Sequence, residues 1–503
     1  MYRPQSESGK PGRGQMRNAL IGVLAAVVLI AAIVIGHTMM IGADTNTLAA
    51  VHSRIPVDAK AAARHLSEAV QFQTISYGAG AHEAEKFAAL EALRGWMEKT
   101  YPTFHKVATR EILDHTLVFT WKGKNPSLPP VLLMAHMDVV PVVPGTEKDW
   151  SHPPFSGAIA GGYVWGRGAI DDKGCLVSIL EAANALAAKR FQPERTIMFA
   201  FGQDEEVGGG KGNALAAKML ASRGIHFAWV LDEGGAIVNE PFPGIEQPIA
   251  FVSVSEKGYL SLRLTAHGTG GHSSRPTGDM AIARLARAVT AVVNHPFSSG
   301  LDSVQREKMA VMAPHAPFVT RLLLGNLWLT GPIVQHYMEG IPDSAARLHT
   351  TISPTLIEGG VKDNVLPPVA SATFNFRLHP RDTVAGVIAH VKSAIADPKV
   401  SVTALTETQT EASKVSDLHS PAGEYLVAQL QAAFGDIPVA PDTTTGATDS
   451  RHYLPIADQV FRLDPFPFDV DDLARVHGTN ERLAVGALGP AVAFYERLMQ
   501  NLR

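Results

Sequence analysis

The sequence predicts an α/β protein: a doubly wound, mostly parallel sheet, an inserted ferredoxin-like α+β domain, and one N-terminal transmembrane helix. Three observations predict it. Between 131 and 254, short apolar runs end abruptly in acids or a histidine, with helix-period segments between them. Near 256 the pattern changes to strict alternation and the order β-α-β-β-α-β. Residues 19–36 carry no polar side chain.

That apolar run is long enough to cross a bilayer, which takes roughly 20 helical residues. Arg3, Lys10, Arg13 and Arg17 precede it, and the nearest basic residues after it are Arg54 and Lys60. The positive-inside rule then makes 1–17 a basic cytoplasmic tail and 18–43 an anchor, with the body outside, periplasmic or otherwise extracytoplasmic. A cleaved signal peptide shares the basic start and the apolar stretch, although the run exceeds a usual signal core.

After a linker at 44–60, with a helix expected from 56 to 70, the first part of the catalytic domain extends to 255. "VLLMAHMD", "TIMFAFGQDEE" and "AWVLDEGG" are continuous apolar runs, suited to strands buried on both faces. "CLVSILEAANALAAK" aligns Leu176, Leu180, Ala183 and Ala187 on one helical face, and "NALAAKMLASRG" closes on Gly224 as a C-cap. Ligands of such sheets collect at the carboxyl ends of the strands, where every acidic cluster falls.

The inserted domain spans 256–412. A half-exposed strand "YLSLRLTAHG" leads to a helix at 279–294, strands at 348–357 and 370–378, a helix at 383–396 and a strand at 399–405. Within it, 296–347 is apolar on most faces, which suits internal packing or a patch that meets a membrane or a fatty acyl group. Residues 413–503 resume the α/β style and complete the catalytic domain.

Composition narrows the chemistry. The net charge is −4 without long single-sign runs, so nothing marks a nucleic-acid surface. Cys175 is the single cysteine, which excludes an internal disulfide and a thiolate zinc site. It reads as a packing residue. Any metal must be held by Asp, Glu and the 20 histidines.

His136 and Asp138 close one strand and, two residues apart, face the same way. Asp171 and Asp172 stand in a Gly-bounded turn before a helix; Glu205 with Glu206, and Asp232 with Glu233, end two further strands. His477 lies in "HGTNE". Each motif alone suits a cap or a solvated loop. Together they form a nitrogen and oxygen ligand set large enough for two divalent ions, with a glutamate left over as general base.

In "HMDVVP", "GRGAIDDKG", "DEEVGG", "DEGG" and "HGTNE", in that order, the chain resembles the aminoacylase/carboxypeptidase family of di-zinc metallohydrolases from about 60 to 500. In style it is closest to the membrane-anchored carboxypeptidase S-like and N-acyl-amino-acid hydrolase branch. The resemblance implies His136, Asp171, Glu206, Asp232 and His477 as ligands of two ions, with Asp171 bridging. Zinc is the implied metal, with cobalt or manganese as substitutes. It implies Glu205 as general base, Asp138 as the acid that orients His136, and His272 of "GTGGHSSRP" as the group that polarises the scissile carbonyl, often across a homodimer formed by the inserted lid domain. Asn364, Arg377 and, more weakly, Arg451 of "GATDSRHY" would bind the substrate's carboxylate. Asn375 stands where the family often has Asp.

The function implied is metal-dependent hydrolysis of an amide bond beside a free carboxylate, as in a carboxypeptidase acting on small peptides. The alternatives are an N-acyl-amino-acid amidohydrolase or synthase acting on lipidated amino acids, and an inactive membrane-tethered binding ectodomain. Loss of ligands would favour the last, and no ligand position is lost.

Overall fold

The computed structural model describes residues 13–42, 55–78, 81–405 and 409–502. Most of the basic tail and of the expected linker lie outside the described residues.

The strands in chain order are β1 (Thr109–Leu113), β2 (Thr116–Trp121), β3 (Val131–His136), β4 (Ala158–Ala160), β5 (Tyr163–Trp165), β6 (Ile197–Gly202), β7 (Trp229–Val238), β8 (Ile249–Glu256) and β9 (Gly258–His267). They continue with β10 (Gly271–His272), β11 (Thr351–Gly359), β12 (Val365–Leu366), β13 (Val369–Leu378), β14 (Val400–Ala404), β15 (Val439–Thr444), β16 (Val460–Phe468) and β17 (Arg482–Ala484).

Eight of them form the main sheet, in the order β1-β2-β6-β3-β7-β16-β8-β15. The central four, β6, β3, β7 and β16, are mutually parallel. The flanks are not: β2 is antiparallel to β6, and β8 is antiparallel to β7 and β16. The sheet is therefore mixed where a mostly parallel one was expected. The reason lies in short connections, because a parallel return needs a crossover of a dozen or more residues. Asp114 and His115 turn β1 straight into β2, both with positive φ (44° and 70°), as a two-residue hairpin turn requires. Segment 239–248 likewise returns β7 to β8 without a helix.

Both faces of the central strands are covered. Val131, Leu133 and Ala135 share a core with Leu176 and Leu180 of the helix Lys173–Ala188 and with Leu488 and Val492 of the helix Val485–Gln500. Leu132 and Met134 point the other way, into a cluster with Ala216 and Leu220 of the helix Asn213–Ser222. This two-sided burial explains why the sequence reads as continuous apolar runs.

The second sheet, β11-β13-β9-β14, is antiparallel throughout and has the expected β-α-β-β-α-β element order. It has its own core, in which Leu262, Leu264, Phe374 and Phe376 meet Leu285 and Val387 of the helices Ala281–Val293 and Val384–Ile395. A ribbon of β10 and β12 extends from this unit. Segment 296–347 folds into short helices that bury Met309, Met312, Leu324 and Val334 against Ile249 and Phe251 of β8 and Ala440 of β15. It covers one edge of the main sheet. The N-terminal helix Arg13–Met40 is long and apolar enough to cross a membrane or to serve as a signal sequence.

Candidate metal centre

The acidic and imidazole side chains converge at the carboxyl ends of the parallel strands. β3 ends on His136, and β6 runs into a single turn at Glu205–Val207. β7 carries Glu233, and the turn before the helix Lys173–Ala188 carries Asp171. His477 arrives from the far end of the chain.

Asp171 lies at the centre. Its Oδ1 is 2.8 Å from His136 Nε2 and its Oδ2 is 2.9 Å from His477 Nε2, so one carboxylate divides its oxygens between two imidazoles. Glu233 Oε1 stands 3.3 Å from His136 Nε2, and Glu206 Oε2 stands 3.2 Å from His477 Nε2. The donor atoms of His136, Glu205 and Glu233, and those of His136, Asp171 and Glu206, each lie within 4.8 Å of one another. Nitrogen and carboxylate oxygen in this arrangement suit a divalent cation such as zinc.

Two features orient the His136 imidazole. His136 Nδ1 donates to the Asp138 carbonyl at 2.9 Å, which leaves Nε2 facing the acids. Asp138 is fully buried; its carboxylate accepts from Ser76 Oγ and from the backbone N–H groups of Glu205 (3.1 Å) and Glu206 (3.3 Å). One acid thereby fixes β3 against the glutamate turn.

One expected ligand stands elsewhere in the structure. Asp232 does not face the cluster, because neighbours along a strand point to opposite sides. Its Oδ2 accepts the Ser450 N–H at 2.8 Å, and Glu233 takes the place beside His136. Two residues escaped sequence reasoning altogether. Glu481, within "HGTNE", is fully buried and accepts from Arg167 Nη1 (2.6 Å), Gly168 N (3.0 Å), Ile170 N (2.9 Å) and Asp171 N (3.2 Å). Arg167 Nη2 also donates to the carbonyls of His477 (3.0 Å) and Gly478 (3.1 Å). The pair sat inside quoted motifs, but nothing local distinguished it from turn chemistry.

The matching family model, peptidase family M20/M25/M40, spans residues 132–501. The chain belongs to this family. It is a metal-dependent hydrolase. Probable carboxypeptidase S-like 2 of Dictyostelium discoideum is 37% identical over 446 residues, covering 87% of this chain and 84% of the relative. The N-fatty-acyl-amino acid synthase/hydrolase PM20D1 of Mus musculus is 36% identical over 441 residues, covering 87% and 86%. Among solved structures, the M20 family metallo-carboxypeptidase Sso-CP2 from Sulfolobus solfataricus shares the fold with a TM-score of 0.64 at 18% identity, covering 88% of this chain and 99% of its own.

In this M20 peptidase the acids crowd one another. Burial, then the negative charge of Asp449, Glu206 and Asp171, holds the Glu205 carboxyl well above the carboxylate range. Burial and Asp171 push Glu206 up to about 6. Burial lowers the basicity of His136, but Glu233, Asp138 and Asp171 outweigh it and raise the imidazole well above its ordinary value. Hydrogen bonds to Asp171 and Glu206 raise His477 to about 10. The Cys175 thiol is pushed well up by burial, as befits a packing residue.

Among the described residues, no hydrogen bond or ion pair joins the side chains of the expected substrate residues to the acids and imidazoles of this cluster. Arg377, on β13, is half-buried with its guanidinium 4.7 Å over the Tyr259 ring, and it pairs with no carboxylate among the described residues. Arg451 Nη2 donates to the Gly208 carbonyl at 2.6 Å, beside the glutamate turn. Asn375 donates to Ser261 Oγ at 3.2 Å. His272 lies on β10 and Asn364 just before β12, where the Ser273 N–H donates to the Asn364 carbonyl at 3.1 Å. His272 is exposed, and its Nδ1 accepts from Ser274 Oγ at 2.8 Å. The structure does not bring His272 to the acids within one chain.

Two outcomes are expected. At neutral pH the metal-free site holds His477 as imidazolium, whereas a ligand must be neutral. Adding a divalent metal to chelated protein should release protons, and affinity should rise with pH towards about 10. Calorimetry in buffers of different ionisation enthalpy reads this; no proton release would show imidazoles already neutral. Arg167→Met strands the buried Glu481 charge and should cost roughly 3–5 kcal/mol in denaturant unfolding of the metal-free protein.

Proposed function

We propose that this M20 peptidase binds two divalent ions, zinc being the metal its donors suit best and cobalt or manganese able to replace it. The hydrolysis is of an amide bond beside a free carboxylate. The carrying observation is the division of Asp171 between His136 and His477. In this reading His136, Asp171 and Glu233 hold one ion, and His477, Asp171 and Glu206 the other. Bound ions supply Lewis acidity towards water and the scissile carbonyl.

The chain's own residues do the rest. Glu205, next to a ligand but not needed as one, takes a proton from the attacking water and returns it to the leaving nitrogen. Asp138 keeps His136 in its tautomer and holds the Glu205 backbone. Asp232 positions the Arg451 loop through Ser450. Arg377, half-buried over Tyr259 and without a carboxylate partner among the described residues, reads the substrate carboxylate with Asn364 and Arg451, since a planar fork matches both oxygens. The smaller unit acts as a lid. His272 reaches a carbonyl oxygen after the lid moves or from a second copy of the chain in a homodimer, a role that its exposure in the single chain favours.

Small peptides are the first substrate reading, in line with the carboxypeptidase S-like relative. N-fatty-acyl amino acids are the second, favoured by the PM20D1 relative. Both present the same carboxylate. The N-terminal helix is read as a single-pass anchor, with its amino terminus cytoplasmic and the body outside.

Glu205→Gln should keep its metal content and lose roughly 10²–10⁴-fold in turnover, because a base is removed and the ligands are spared. Asp171→Ala should lose the metal itself. Near-normal turnover of Glu205→Gln would show that another group is the base. Arg377→Ala removes a charge-assisted pair worth about 1.5–3 kcal/mol, hence a loss of roughly tenfold to hundredfold on free-acid substrates. Equal loss on amidated analogues would overturn the carboxylate role. Protease added to sealed cells should digest the body, and carbonate should fail to release it.

A further inference from the structure

The N-terminal helix does not stand clear of the body. From Gly14 to Ile33 its described side chains are all exposed to solvent, a free length of roughly 30 Å, about one hydrocarbon core. Beyond that it docks. Val34 and Thr38 are buried, at 6% and 0% exposure. Asn326, fully buried between the helices Phe318–Gly325 and Leu327–Glu339, grips the helix end. Its Nδ2 donates to Thr38 Oγ1 at 3.0 Å and its Oδ1 lies 2.9 Å from His37 Nδ1. Arg321 Nη1 donates to the Ile41 carbonyl at 3.4 Å.

Val34 lies inside the apolar run 19–36, so the body meets the helix at the level where hydrocarbon ends. Directly after Asn326, the second of the two helices has its polarity reversed. Its exposed positions are Trp328, Leu329, Pro332, Ile333, His336 and Tyr337, one face at helical spacing without a formal charge when His336 is neutral, and Glu339 at its last residue. Trp328, Ile333 and Tyr337 are 62%, 61% and 56% exposed. Phe318 and Val319 of the preceding helix extend the patch, at 48% and 71%. Arg321, the one formal charge from 318 to 338, is spent on the carbonyls of Ala316 and Ile41.

We propose that this face is a second membrane-embedded surface, lying in the interfacial layer of the bilayer that the N-terminal helix spans. The proposal rests on that spanning reading and on the docking at Asn326, which starts this helix beside the outer end of the span. An apolar face with Trp and Tyr, its single acid Glu339 at the helix end and bonded to Gln335, is what an interfacial helix presents to headgroups and upper acyl chains. The body is thereby held against the bilayer at two points.

The test uses the full chain in phosphatidylcholine liposomes. Cys175 is buried, so an environment-sensitive fluorophore can be attached at single introduced cysteines. Ile333→Cys and Tyr337→Cys probe the face, Val27→Cys probes the spanning helix, and Lys392→Cys on the exposed side of the helix Val384–Ile395 is the aqueous control. Quenching by acyl-chain spin-labelled lipid, with a blue shift, is expected at Ile333, Tyr337 and Val27 and not at Lys392. Quenching at Val27 with none at Ile333 and Tyr337 would overturn the proposal and leave the anchor intact. No quenching at Val27 would remove the spanning reading on which the proposal rests. Shielding of Ile333 that vanishes on dilution of protein in lipid, or that needs an added N-acyl amino acid, would assign the face to a second copy or to substrate and overturn it too.

Discussion

The centre depends on one buried ion pair. Arg167 and Glu481 come from motifs more than 300 residues apart, and their contact is what lets one site be assembled from both ends of the chain. Glu481 takes three backbone N–H groups of the turn that presents Asp171, while Arg167 takes two carbonyls of the segment that presents His477. Such a pair is a poor source of net stability, since desolvation offsets most of the attraction. Its value here is positional. It specifies where one turn stands relative to the other.

Around that pair the acids are held closer than their charges favour. Asp171, Glu206, Glu205 and Glu233 gather about two imidazoles, and protons or cations must offset the repulsion. Burial, with Asp171 close by, makes Glu206 reluctant to ionise, and the same setting favours a doubly charged ion there. Fold and chemistry meet here, because the parallel strand ends bring the acids together whether or not the cluster is electrostatically content.

Much of this was legible in the sequence. Strands buried on both faces leave long apolar runs, and the second unit announced its element order by a change of period. Choosing between Asp232 and Glu233 was beyond it: adjacent residues on a strand face opposite ways, and only the register of β7 against its neighbours says which one looks at His136. The antiparallel flanks were hidden for a related reason, since Asp114 and His115 make their tight turn without the glycine that usually betrays one. Glu481 and Ser76 act through contacts remote in sequence, which no local pattern encodes. The segment 296–347 was apolar both for packing and at its surface, and composition does not separate the two.

The grip of Asn326 on the N-terminal helix bears on how the chain matures. A leader peptide that is cut away is normally a passenger, touching nothing that must later stand alone. Here its departure would strip a buried amide of Thr38 and His37, leave only the Leu322 carbonyl as a partner, and uncover the pocket against Gly325 that Ile41 fills. Each hydrogen bond exchanged for water in this way costs roughly 0.5–1.5 kcal/mol, and the lost apolar contact adds to it. Proteolytic trimming would thus act on the folded body as a mutation does, because the helix end is a keystone of the fold.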